Sequence, residues 1–512
     1  MMNEKWEEQF REQIHEFVGT IEKFDKGEID RKAYKGISGG FGSYAQRDPS
    51  KHMLRLRMAG GNLTEKRLEF LTEAVRDYGV ELMKLTTCET VQLHNLKAEQ
   101  VPVLMEKAIA SEIYSRGGGG DNPRNIMMSP LSGVQKGEAF DVKPYAEAAA
   151  EYLLSIAGEI HMPRKLKVAF CNGADDSVHS AFRDMGFMAN PDGTFTLRIA
   201  GGLGGGYKMG ALVDEHVPAT EILSYIRAMI ETFCQHGNYE NRAKARTRFM
   251  QETMGVDGLK AAFLENVAKV KEKGGLDLHV EAKPVTKKGS GEISGKRVVA
   301  QKQPGLYAVA YHPIGGCLPA GKPAELLTLV REIPDAECRI APHETIYIIN
   351  LTADEAEKVL EATNDGAQST FENSVACIGA AICQQGVRDS QAALRAAVEA
   401  VREAKIPDGA LPRICISGCP SSCSGHQAAA LGFQGAAKTV DGKPESAFKM
   451  FVGGSDKLGA AKFGEAGAVI LECDLPKFFV DLGKAVASRN MNWETWIVGH
   501  EDEFKAIVEK YA

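Results

Sequence analysis

No stretch of the chain stays apolar long enough to span a membrane. The opening residues, MMNEKWEEQFREQIHEFVGTIEKF, lack the uninterrupted apolar core of a secretion signal. Both absences set the expectation of a cytoplasmic protein with no membrane partner. Trp6, Phe10, Ile14, Phe17 and Ile21 instead mark one face of an amphipathic helix. Charge of one sign is also in short supply. The 61 Lys and Arg nearly balance the 68 Asp and Glu, leaving −7 at pH 7. So mild an acidity argues against nucleic acid as a partner.

What remains is an ordinary globular composition, 44% hydrophobic and 25% charged, on 512 residues, enough for several domains. The 53 glycines are clustered, which points to tight turns or to backbone that closely approaches a ligand. Eleven cysteines in a reducing compartment do not form disulfides. Cys377, Cys383, Cys415, Cys419 and Cys423 crowd together while the others are scattered as small buried hydrophobes.

The chain is written twice. LRLRMAGGNL (54–63) resembles YAVAYHPIGGCL (307–318), and CETVQLHNL (88–96) resembles HETIYIINL (343–351), both at an offset of 255 residues. MPRKLKVAFCNG (162–173) resembles LPRICISGCP (411–420), and FTLRIAGGLGGGYKMG (195–210) resembles FKMFVGGSDKLGAAKFG (448–464). Strands alternate with helical segments in each copy, giving a mixed α and β chain whose opening units pair about a pseudo-twofold axis.

Chemistry belongs where the copies differ. Arg55 and Arg57 share one face of a strand, opposite Leu54 and Leu56, and their counterparts in the other copy are Ala310 and His312. Gln92 and His94 share a face, and so do Lys165 and Lys167, whose counterparts are Ile414 and Ile416. The cysteine pairs occur only in the second copy. One half offers cations and the other a metal centre, around one shared site. The pairs are C-x5-C (Cys377, Cys383) and C-x3-C (Cys419, Cys423). Four thiolates suit an iron–sulfur cluster or zinc, but the x5 spacing and the large surrounding domain fit a zinc knuckle poorly. Cys415 lies within the apolar run RICIS and reads as a buried thiol outside the set.

With these elements in place the sequence resembles the sirohaem-dependent sulfite and nitrite reductases. The resemblance rests on MLRLRMAGG (53–61), LTTCETVQLH (85–94), GGGGDNPRNIMMSPLSG (117–133), PRKLK (163–167) and the two cysteine pairs. It implies an α+β fold that is internally duplicated: a pseudo-twofold central domain of paired ferredoxin-like units plus two α/β lobes for sirohaem and the cluster. The implied divisions are a helical segment 1–40, half-domains 41–135 and 298–365, lobes 136–282 and 366–512, and a linker 283–297. It implies a 4Fe–4S cluster on Cys377, Cys383, Cys419 and Cys423, with Cys423 also ligating the sirohaem iron. Arg55, Arg124, Lys165 and Lys167 match the family's cations around a small oxyanion substrate. Arg57, Thr86, Gln92, His94, Arg164, Gly201 and Gly202 fall where cofactor contacts are expected.

The implied activity is six-electron reduction of sulfite to sulfide, with electrons from ferredoxin or a similar small donor, since no flavin or nicotinamide segment is recognisable. Lys167 favours sulfite, because nitrite reductases tend to carry asparagine there and sulfite is partly a dianion. Chain length and the GGGDNPRN segment favour the alternative, a ferredoxin-type nitrite reductase making ammonium. A precorrin-3B synthase-like corrin oxygenase should lack the lysine pair, and a non-catalytic iron–sulfur protein would not need one-sided cations. Two positions depart from the family: Cys88 stands where many members have arginine, and Glu89 where they have glutamine. Tyr44 holds the place of a tyrosine that some members crosslink to cysteine, but 117–124 contains no cysteine. The basic run NRAKARTR (241–248) reads either as a docking surface for an acidic donor or as a solvated helix face.

Overall fold

A computed structural model describes residues 2–512. Its centre is a pair of five-stranded antiparallel sheets. The first runs Ser43–Ala45, His52–Leu56, Val91–Leu96, Leu82–Leu85 and then, from the other half, Cys317–Leu318. The second runs Val298–Ala300, Tyr307–Tyr311, Ile346–Leu351, Glu337–Ile340 and then Asn62–Leu63 from the first half. Each half therefore lends its partner an edge strand, with Cys317 opposite Lys84 and Arg339 opposite Asn62. The exchange covers one edge of each sheet that would otherwise expose unpaired backbone. One continuous apolar core, from Leu54 and Leu93 to Val309 and Ile348, serves both halves.

The lent strands follow matching turns. Gly60 and Gly61 have φ of 56° and 66°, and Gly315 and Gly316 have 61° and 68°. A Cβ on Gly61 would stand 2.4 Å from the Ile340 carbonyl oxygen. Helix Met2–Asp25 lays Trp6, Phe10, Ile14, Phe17 and Ile21 against this centre, all buried, as the apolar stripe anticipates.

Each half then builds a lobe on one plan. Met127–Met128, Val168–Cys171 and Met185–Ala189 pair in parallel, and Thr194–Ile199 and Ala211–Pro218 continue antiparallel. Val375–Ala376, Ile414–Ser417, Leu431–Val440, Lys443–Val452 and Glu465–Leu471 repeat that order and sense. The duplication read from the sequence is thus a duplication of topology. Two boundaries fall differently from the expected ones: the first lobe's sheet already begins at Met127, and residues 274–297 form no helix or strand.

Candidate active site

The cleft between the halves is built on the polar faces of the first half. Leu54, Leu56, Val91 and Leu93 point into the core, so Arg55, Gln92 and His94 point away from it. Arg55 and Gln92 are cross-strand partners. With the Gln92 amide oriented to satisfy its neighbours, its oxygen accepts from Arg55 at 2.7 and 2.9 Å and its nitrogen donates to His94 Nε2 at 3.2 Å. Burial, together with Lys84 and Arg55, pulls the His94 imidazole down to about 3, so it stays neutral.

A glycine-rich loop, 115–124, closes one side. Arg55 donates to the Gly118 carbonyl at 2.5 Å, and Arg124 to those of Gly117 and Gly120 at 3.1 and 2.9 Å. The Tyr44 hydroxyl accepts from the Gly120 amide at 2.7 Å. Burial would raise that phenol, but Arg124, Arg55 and the Gly120 amide outweigh it and lower its pKa. Arg57 is wholly buried and donates to the carbonyls of Arg116 and Arg124 at 2.8 and 3.1 Å, so it braces the loop and does not reach the cleft. Arg164 pairs at the rim with Asp121, which Arg242 also grips.

Lys165 and Lys167 precede strand Val168–Cys171 on one face of the chain. Among the described residues neither ammonium meets a carboxylate. Burial and the neighbouring Arg246, Lys167 and Arg124 drive the Lys165 pKa well down. The Cys423 thiol acts on it in the opposite sense.

The second half brings its cysteines to the same place. Cys423 remains accessible to solvent. Burial and the nearby thiols of Cys377, Cys383 and Cys419 push it up to about 12, while Lys165 opposes them. Cys377 Sγ accepts from the Gly418 amide at 3.1 Å and lies 3.0 Å from the Ser390 hydroxyl. Cys415 is raised to about 12 by burial; the charges that act on it are Arg413, Asp456 and Glu344, not the other thiols. The halves are stitched together around the cleft. Thr87 Oγ1 donates to the Cys423 carbonyl at 2.8 Å, and Arg47 donates to the carbonyls of Cys383 and Gly386 at 3.3 and 2.6 Å.

Some expected contacts take another form. The amides of Gly201 and Gly202 donate to the carbonyls of Arg183 and Lys208 at 2.9 Å, so they have no free N–H to offer a cofactor. These glycines contribute room instead: a Cβ on Gly202 would lie 3.1 Å from Arg248 and 3.5 Å from Arg246. The Thr86 hydroxyl is likewise taken up by its own turn, 2.7 Å from the Thr90 hydroxyl. The 241–248 run is only partly a basic surface: residues 241–244 are exposed, with Arg242 paired to Asp121. Arg246 pairs with the buried Asp184, and Arg248 is buried with Nη1 unpartnered at the 201–206 loop. These two arginines and Arg183 are site cations that sequence reading missed. For Arg246 and Arg248 the only signal was an Arg-x-Arg spacing, and Arg183 carried none.

The pseudo-equivalent position of the second half carries no such field. There Asp456 pairs with Arg413 at 3.2 Å and lies 3.0 Å from Nε2 of His179 of the first half.

Residues 44–111 match the nitrite/sulfite reductase ferredoxin-like half domain, and residues 119–271 match the nitrite and sulphite reductase 4Fe–4S domain. The first half of the chain thus carries both domain types of the nitrite and sulfite reductases. Ferredoxin–nitrite reductase of Synechococcus elongatus is 28% identical over 447 residues, covering 84% of this chain and 85% of that protein. Assimilatory ferredoxin-dependent nitrite reductase of Haloferax mediterranei is 26% identical over 449 residues, covering 81% and 76%. The solved structure of the Mycobacterium tuberculosis NirA protein superposes with a TM-score of 0.79 at 22% identity, covering 97% of this chain and 96% of that one, and so shares the fold.

The family uses sirohaem with a 4Fe–4S cluster. The residues present suit both groups. Four thiols gather with a backbone amide aimed at one sulfur. Unsatisfied buried donors on Arg246 and Arg248 await acceptors, as a macrocycle rich in carboxylates requires.

Proposed function

We propose that the chain is a six-electron anion reductase whose substrate is nitrite, reduced to ammonium with electrons from ferredoxin or a similar small carrier. The observation that carries this reading is the contact between the first half's polar strands and the cysteine segment of the second, where Thr87 Oγ1 donates to the Cys423 carbonyl at 2.8 Å. When bound, the coupled cofactors supply electrons and an iron site for the anion. The protein's own residues do the rest. Arg55, Arg124, Lys165 and Lys167 attract a small anion into a cleft of low dielectric, where their charge acts strongly. Lys165, its pKa depressed by burial and by surrounding cations, holds a proton loosely enough to pass it to a departing oxygen. Cys377, Cys383, Cys419 and Cys423 would hold the cluster, and Arg246 and Arg248 the macrocycle's carboxylates.

The relatives named above support nitrite, and the whole-chain coverage supports carrying that activity over. Sulfite, which the residues around PRKLK led us to expect, stands as the second reading because Lys167 adds a cation. Two measurements decide. The purified protein should show the Soret and red bands of sirohaem, and reduced viologen should release ammonium from nitrite faster than sulfide from sulfite. A colourless protein would sink the reductase reading, and faster sulfide release would replace nitrite with sulfite.

A further inference from the structure

Cys88 lies under the influence of Lys167, Arg183 and Arg55, and the reductase reading gives it no role. Its position is fixed from several sides. The Asn125 amide donates to its carbonyl at 3.0 Å, its own amide donates to Thr86 Oγ1 at 3.3 Å, and Arg183 reaches the adjoining Thr87 carbonyl at 3.5 Å. The side chain packs against Met127, Ala169, Cys171 and Val178. Ala169 and Cys171 lie two and four residues beyond Lys167, so strand alternation puts Lys167 on that same face. The thiol and the ammonium therefore share one wall of the cleft. We propose that Cys88 sets the anion preference of the site by pairing with Lys167, so that together they present no net charge to the substrate.

The electrostatics agree with the geometry. Burial alone would raise the thiol, but Lys167 above all, then Arg183 and Arg55, overrule it and hold Cys88 down to about 6. The lowered pKa favours the thiolate. Lys167 then ceases to be the extra cation that would favour a dianion, and the pocket keeps the balance that suits a monoanion. This explains how a lysine can occupy that place in a chain whose relatives are named nitrite reductases. The inference rests on the reductase reading, and the test separates the two.

In the holoenzyme, kcat/KM for nitrite and for sulfite would be measured with reduced viologen, and the Kd of each anion by titration of the visible spectrum. Cys88→Ala should raise the sulfite-to-nitrite ratio about tenfold in both quantities, the effect of unmasking one charge across a partly screened gap. Cys88→Ser, which keeps the volume without the charge, should do the same if the alanine variant is unstable. Cys88→Asp should retain the wild-type ratio, and Cys88→Ala with Lys167→Asn should restore it. Equal shifts in the Ala and Asp variants, or no shift in Ala and Ser, would overturn the pairing. A wild type that binds both anions and reduces neither overturns the reductase reading, while its Kd ratios still decide the pair.

Discussion

Among single residues, Arg57 shows how a cation can belong to a site without touching it. Its guanidinium is buried and donates to two carbonyls of the 115–124 loop, and burial with the flanking Arg124 and Arg116 draws its pKa to about 9. Truncation would leave two buried carbonyls unsatisfied and a void beside Gly117. We expect Arg57→Ala to lower unfolding free energy by about 2–4 kcal/mol and to reduce the haem retained per chain. Arg57→Lys should recover little, because one ammonium cannot span both oxygens. A denaturant midpoint within error of wild type would show that the loop holds itself. The sequence revealed that Arg55 and Arg57 share a face, since period-two alternation is local. It could not reveal that both reach a loop about sixty residues on, Arg55 while also facing Gln92 and Arg57 from full burial, because that depends on where 115–124 folds back. Arg246 and Arg248 were illegible for the same reason: the buried Asp184 that turns Arg246 inward lies far away in the chain.

At the level of elements, the pairing of the halves depends on two lent strands, and each begins at a glycine turn that no other residue fits. Gly61 combines a left-handed backbone with a Cβ path blocked by the Ile340 carbonyl oxygen. Gly61→Ala should therefore cost about 2–4 kcal/mol, backbone strain and overpacking together. Gly36, in the exposed helix Arg31–Ser38 with nothing near its missing Cβ, is the matched control. Gly36→Ala should be neutral or stabilising by up to about 1 kcal/mol. Urea unfolding of the two variants checks both, and equal midpoints would contradict the account. The repeat of Gly60-Gly61 in Gly315-Gly316 was visible as sequence because the same turn is needed twice. The exchange of the strands that follow was not visible, since Asn62–Leu63 and Cys317–Leu318 carry no local mark of which sheet receives them.

Over the whole molecule, the two halves must stay in register for lysines of one to face cysteines of the other, and part of that register is ionic. Glu337, on a strand of the second central sheet, accepts from Lys143 of the first lobe at 3.0 Å and from Arg339 at 2.8 Å. Arg339 reaches on to the Ser132 carbonyl of the first half at 2.6 Å. Burial would raise the Glu337 carboxyl, but Arg339 and Lys143 prevail and hold it near 2. A carboxylate whose folded value is depressed binds its proton more weakly in the folded than in the unfolded state. Its stabilisation is complete above the ordinary glutamate value of about 4.5 and is lost as pH falls toward 2. Wild type should accordingly lose thermal stability steeply across that window, and Glu337→Gln should start lower at neutral pH and fall less steeply. Because the bridge joins the halves and not the interior of either, its loss should release haem before the sheets melt. Simultaneous recording of Soret absorbance and far-ultraviolet dichroism during acid titration tests this order. Coincident transitions would mean that the bridge stabilises the fold without guarding the register.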